Sequence, residues 1–184
     1  MKKIEDFLGE GEFTEKGRYA RAAAENISGP FFEGIDSFLM SFGHDGRKEL
    51  YRKRSADRII YEQVLNCCVD SGLVFVTLAR IRGIPAAYVE TVMERFMHNI
   101  PSENELDGHI FCDVYKNGIW ISRNPEHGTT KRNGKVYTTN DGNNFVEIGR
   151  GLDFSQLYND ELQNPFSAKN KKQTCDAIAK IATY

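Results

Sequence analysis

A chain of 184 residues is long enough for one ordinary domain with a proper core and short for two. With 40% hydrophobic and 27% charged residues it has the composition of a globular protein, not of a disordered or membrane chain. A net charge of -2 gives no general reason to expect nucleic acid or an anionic membrane as partner. No apolar run reaches the length of a membrane span, and residues 1–9 lack the apolar stretch of a signal peptide. Four cysteines (Cys67, Cys68, Cys112, Cys175) fall short of disulfide-scaffold density, so reduced thiols in a cytoplasm are expected.

Residues 1–66 read as a helical N-terminal part. Residues 14–27 have a cap-like Thr14 and an Ala-rich body, and Gly29-Pro30 stops them. Residues 31–42 place Phe32, Ile35, Phe38, Leu39 and Phe42 at a 3.6-residue period. Residues 43–46 form a turn, and residues 47–65 are a third helix candidate. Its basic residues (Arg47, Lys48, Arg52, Lys53, Arg54, Arg58) interleave with Glu49, Asp57 and Glu62, the pattern of a solvated helix face.

The centre of the chain is the run from Cys67 to Val89. Between Leu73 and Ala79 every position but Thr77 is apolar, which marks a helix buried on more than one side. Gly83 suits a left-handed cap and Pro85 ends the helix; residues 86–93 then read as a strand. Cys67 and Cys68 stand where that helix begins. A thiol there faces the positive end of the helix dipole, so Cys68 is expected to have a lowered pKa and to be the most reactive of the four.

Residues 94–107 are polar and contain Pro101, and read as a loop near the site. A hairpin follows: residues 110–116, the turn Asn117-Gly118, and residues 119–123. A two-residue loop pairs Lys116 with Ile119 and, counted back, Phe111 with Asn124 and His109 with Glu126. His109, Phe111 and Asn124 then share a face, with Asn124 diagonal to His109 at about 7–8 Å between Cα atoms. An amide oxygen can reach an imidazole from there. Asn133-Gly134 and Asp141-Gly142 punctuate two short strands, 135–139 and 144–148; the run Asn140 to Asn144 lacks EF-hand spacing and reads as a hairpin turn. Residues 170–183 read as a closing helix.

Cys68, Asp70 and Gly83-Ile84-Pro85, then Gly108-His109, then Trp120 before Asn124-Pro125 resemble, in order and spacing, the core motif of the transglutaminase-like superfamily. Residues 55–60 resemble the helix leading into the Cys in microbial members, and residues 149–153 are a weaker echo. The resemblance covers roughly residues 55–125. It implies an α+β, papain-like or transglutaminase-like fold: one domain over residues 1–184, with a buried Cys-bearing helix packed on an antiparallel sheet. It also implies a site made of Cys68, His109 and Asn124. The chain departs from the pattern at Asn124, where most of the family has Asp, and at Ala87, where the family has Arg.

In that reading Cys68 attacks an amide carbonyl, His109 takes and returns the proton, and Asn124 orients the imidazole. Backbone N–H groups at the helix start would stabilise the oxyanion. Glu126 and Asp113 are rival orienters; His44 and His127 read as surface residues. The expected activity is thiol-dependent acyl chemistry on an amide bond, as a cysteine peptidase or amidase acting on a peptide, protein or small amide. A transamidase, or a non-catalytic binding module using the cleft between helix and sheet, are the alternatives. No cofactor is expected, and the lack of a Cys-x-x-Cys pair speaks against zinc.

Overall fold

The computed structural model describes residues 3–98 and 108–157. The closing helix expected at 170–183 and most of the loop at 94–107 lie outside them. Within the described residues the fold is α+β: helices precede and cover one face of an antiparallel sheet.

The helix at the centre is α4 (Cys68–Ile81), in which every residue from Val69 to Arg80 is buried. Cys67 is its N-cap residue, in extended backbone conformation. At the other end Gly83 adopts φ 72°, the left-handed conformation that closes a helix without a Cβ penalty. Leu73, Val74, Phe75, Val76 and Leu78 are all 0% exposed. Each such burial contributes about 1.5–3 kcal/mol relative to exposure. Cover comes from α1 (Arg18–Asn26), α2 (Phe31–Met40) and α3 (Ala56–Glu62) on one side, through Ala20, Ala24, Phe32, Ile35 and Ile59. Thr14 does not cap α1, whose N-cap is Gly17; the Thr14 hydroxyl is buried and accepts from the Arg80 guanidinium at 2.9 Å. The same guanidinium donates to the carbonyls of Ala86 and Leu152, and burial lowers its pKa to about 10.

On the other side lies the sheet. Its strands are β3 (Ala86–Met93), β4 (Gly108–Lys116), β5 (Ile119–Asn124), β6 (Gly128–Thr129), β7 (Lys131–Asn133), β8 (Val136–Thr138) and β9 (Asn144–Gly151), in the order β6-β5-β4-β3-β9-β8-β7. The β4–β5 hairpin turns on Asn117 and Gly118, with φ 53° and 85°, and pairs Lys116 with Ile119 through Cys112 with Arg123. Alternation along β4 divides the sheet's two faces. Ile110, Cys112 and Val114 join the core beneath α4, whereas Phe111 packs with Tyr137, Phe145 and Val89 on the far face.

Helix and sheet approach closely at Gly72, where a Cβ would lie 2.5 Å from Ile110 Cγ2 and 3.1 Å from Tyr88 Cε2. Gly72→Ala should therefore cost about 1–3 kcal/mol, as overpacking does. Urea unfolding checks it; a midpoint equal to the parent's would show that the sheet yields freely here.

Residues 47–65 are not one helix. A 3₁₀ turn (Lys48–Leu50) is followed by Arg52 at φ 56°, then α3, then the strand Val64–Leu65 (β2), which pairs in parallel with Gly43–His44 (β1). The solvated basic face holds for Arg47 and Arg58 but fails for Arg52 and Arg54, which are 7% and 6% exposed. They turn inward because their partners, Glu90 and Asp70, are buried in β3 and α4. A left-handed residue at 52 breaks the helix that a local charge pattern assumes.

Candidate functional site

The loop entering α4 is fixed by charge. Asp70, 1% exposed, accepts from the Arg54 guanidinium and from the Asn66 backbone N–H at 2.8 Å. Arg54 also holds Glu62 at 2.7 Å. Asp70 is the third helical residue after the Cys67 cap, where a carboxylate meets the unpaired first-turn amides. The Cys-x-Asp spacing thus does structural work: it ties the segment carrying both thiols to α3. Burial pushes the Asp70 carboxyl up, against the pull of Asn66 and Arg54.

Cys67 and Cys68 are both half-buried. Of the two thiols, the one whose pKa is lowered is Cys67. Cys67 is lowered first by the Cys68 thiol beside it and further by the amides of Val69 and Asp70. Cys68 is pushed well up, first by Cys67 and then by burial, with the charge of Glu126 adding to this and the Ile110 backbone N–H opposing it. Two adjacent sulfurs cannot both carry charge at little cost, so ionising one holds the proton on the other. Cys68 thus does not have the lowered pKa expected of a thiol at a helix start.

His109 is the second residue of β4. Its ring rests edge-on against Phe111 at 5.0 Å between centroids and near Phe145 at 5.6 Å, on the far face of the sheet. Its Nε2 lies 3.0 Å from Asn124 Oδ1. Asn124 is 1% exposed, and the same Oδ1 accepts the Glu126 backbone N–H at 3.1 Å. That second bond fixes which end of the amide faces the ring. Since Oδ1 can only accept, Nε2 carries the hydrogen and Nδ1 is left with the lone pair. Asn124 Nδ2 is buried without a partner.

Cys68, in the first turn of α4, packs against the core that Ile110, the residue after His109, also joins. The Ile110 N–H works against the rise in the Cys68 pKa. Glu126 bears on both Asn124 and Cys68, since its backbone holds the one and its charge acts on the other. The rival orienters have other partners. Residues 125–127 form a turn before β6, so Glu126 is not paired across from His109. Asp113 accepts from Ser122, Arg132, Tyr137 and Arg150 on the far face.

A cavity of about 420 Å³ opens beside the imidazole, lined by His109, Asn124, His127, Phe145 and the loop 139–143. A second, of about 210 Å³, is lined by Ser71, Glu126, His127 and Leu65, one turn along α4 from Cys68. His127, exposed, lines both, so the cavities flank the 125–127 turn. A cavity of about 640 Å³ between α1 and α2 is remote from these groups. Sequence reasoning placed neither the 139–143 loop nor the Ile110 amide here; Asp141-Gly142 signalled a turn, but nothing local says where a turn points. Among the described residues, no group of three or more His, Cys, Asp or Glu is arranged to hold a metal ion, and no helix is long and apolar enough to cross a membrane.

No family model and no curated protein matches the chain. A solved structure does: a candidate cysteine protease from Cytophaga hutchinsonii, with a TM-score of 0.60 and 19% sequence identity over 83% of this chain and 48% of that one. This chain thus spans about half the length of that protein. At such identity the likeness is one of fold: the α+β architecture is that of the Cytophaga protein.

Proposed function

We propose that this chain is a single transglutaminase-like domain that performs cysteine-dependent acyl chemistry on amide bonds, with Cys68 as nucleophile, His109 as base and Asn124 as its positioning residue. The observation that carries the reading is the bond between His109 Nε2 and an Asn124 oxygen already fixed by the Glu126 N–H. It leaves the lone pair on Nδ1, in an imidazole whose chain neighbour Ile110 packs in the same core as Cys68. The fold shared with the Cytophaga protein agrees with it.

Because Cys68 holds its proton in the resting state, its deprotonation belongs to the reaction itself. His109 Nδ1 takes the thiol proton as sulfur adds to the amide carbonyl carbon. The C–N bond then breaks, His109 returns the proton to the departing amine, and a Cys68 thioester remains. Water, deprotonated by the same nitrogen, cleaves the thioester to the acid and the free thiol. The substrate is a peptide, a protein or a small amide, and the two cavities flanking the 125–127 turn suit one that extends on both sides of the reacting bond. Mass spectrometry of trapped intermediates tests the reading. A peptide thioester should acylate Cys68 in the parent and fail to do so in Cys68→Ala, and acid should be released without incorporation of added amine. Amine incorporation would make the enzyme a transamidase.

One observation favours a non-catalytic binding module, namely the raised pKa of Cys68. Absence of any Cys68 adduct with every acyl donor would establish it. The division of charge between the thiols is tested separately. Iodoacetamide at pH 7 should alkylate Cys67 before Cys68. Cys67→Ala should speed Cys68 labelling by roughly tenfold for each unit its pKa falls. Cys68 labelling first in the parent, at a rate indifferent to Cys67→Ala, would overturn the assignment.

A further inference from the structure

The loop over the imidazole is built from acceptors. Thr139 and Asn143 both donate to Asp141, the hydroxyl to Oδ1 and the amide Nδ2 to Oδ2 at 2.7 Å. Thr139 Oγ1 also approaches the Asn143 carbonyl at 3.1 Å, and backbone bonds from Thr139 to Asn143 and from Gly142 to Thr139 close the loop on itself. Asn140 spends its Nδ2 on the His127 carbonyl at 3.4 Å, tying the loop to the turn after Asn124. An amide that donates through nitrogen keeps its oxygen as an acceptor. Asn140, Asp141 and Asn143 all line the cavity, two amides whose oxygens remain acceptors and one carboxylate. Phe145, from β9, adds an aromatic ring to the lining. Among the described residues no lysine or arginine lines the cavity.

Oxygens, one anion and a ring face together select a cation that carries several N–H donors. We propose that this cavity is a specificity subsite that takes the cationic side chain, lysine or arginine, of a residue close to the reacting amide. The substrate class of the site is then a basic peptide or protein segment. This rests on the acyl-chemistry reading for its consequence in turnover, though not for binding itself. A cavity of about 420 Å³ has room for either side chain.

The test is a titration of the full chain, followed by NMR, with Nα-acetyl-lysine N-methylamide and its uncharged isostere, the norleucine derivative. Each compound carries amide bonds that a catalytic Cys68 would cleave, so both are titrated into Cys68→Ala beside the parent, and the binding outcome then does not depend on whether Cys68 is catalytic. The lysine compound is expected to shift the amide signals of residues 140–143 and to bind about tenfold more tightly than the norleucine compound, as one charge-assisted contact allows. Asp141→Asn, an exposed change in a turn, should melt with the parent and lose that preference. Equal affinity for the two compounds, a preference that survives Asp141→Asn, or shifts confined to another region would each overturn the proposal. If the lysine compound binds as described while no acyl donor modifies Cys68, the cation subsite stands and the enzyme reading falls.

Discussion

Asp70→Ala should lower the unfolding free energy by about 3–5 kcal/mol, the cost of removing one partner from a buried ion pair. The estimate follows from what the carboxylate leaves behind. Arg54 is 6% exposed and would keep only Glu62, at 2.7 Å, while its Nε already lacks a partner. The Asn66 N–H would lose its acceptor, and the first turn of α4 would lose its negative charge. Asp70→Asn keeps the shape and an acceptor oxygen, so it should cost less than Asp70→Ala. Its pH dependence carries a sign. Burial raises the Asp70 pKa, so the native state binds the proton more tightly than the unfolded chain. Stability should then fall as pH rises through the native pKa, and the Asn variant should lack that fall. Urea unfolding between pH 4 and pH 7 reads both. A loss below about 0.5 kcal/mol for Asp70→Ala would mean that water reaches Arg54 and that the pair is not buried in solution.

The same pair shows where sequence reasoning stopped. Arg54 and Asp70 are 16 residues apart, and Arg52 and Glu90 are 38 apart. Read locally, the arginines alternate with Glu49, Asp57 and Glu62 as on a solvated helix. Only the fold brings the buried carboxylates to them. The parallel contact of β1 with β2 is hidden for the same reason, since two-residue strands have no periodicity to detect. By contrast α4 was legible, because an uninterrupted apolar run bounded by a glycine cap and a proline has few other readings. The hairpin was legible too. Asn117-Gly118 fixes the turn type, the turn fixes the register, and the register brings Asn124 to His109.

Counting register outward from that turn failed only beyond Arg123. Pairing with β4 ends there, and Pro125 sends the chain into a turn, so Glu126 never lies across from His109. It meets the site through its backbone instead. The thiols illustrate a different limit. Sequence put both at a helix start, where the dipole would favour either, but each thiol acts on the other more than the helix start acts on either of them.

Asn124→Ala removes the acceptor of both the His109 Nε2 hydrogen and the Glu126 N–H, so it frees the imidazole to rotate and unseats the turn after β5. Turnover should fall roughly 10- to 1,000-fold, by analogy with other triads. Asn124→Asp keeps both acceptor bonds. It also deletes the buried Nδ2 donor that has no partner, a defect worth about 1–3 kcal/mol. Against this it buries a carboxylate, which the imidazolium formed during acyl transfer compensates. Maximal turnover of Asn124→Asp should therefore equal or exceed the parent's. The carboxylate should raise the His109 pKa, so the base deprotonates later and the acid limb of kcat/KM moves to higher pH. A structural role alone would change stability without moving that limb. Glu126→Ala is the control, because it keeps the backbone N–H that holds Asn124. If Glu126→Ala abolishes turnover while both Asn124 variants match the parent in rate and pH profile, the Glu126 carboxylate is the third member of the site and Asn124 is not.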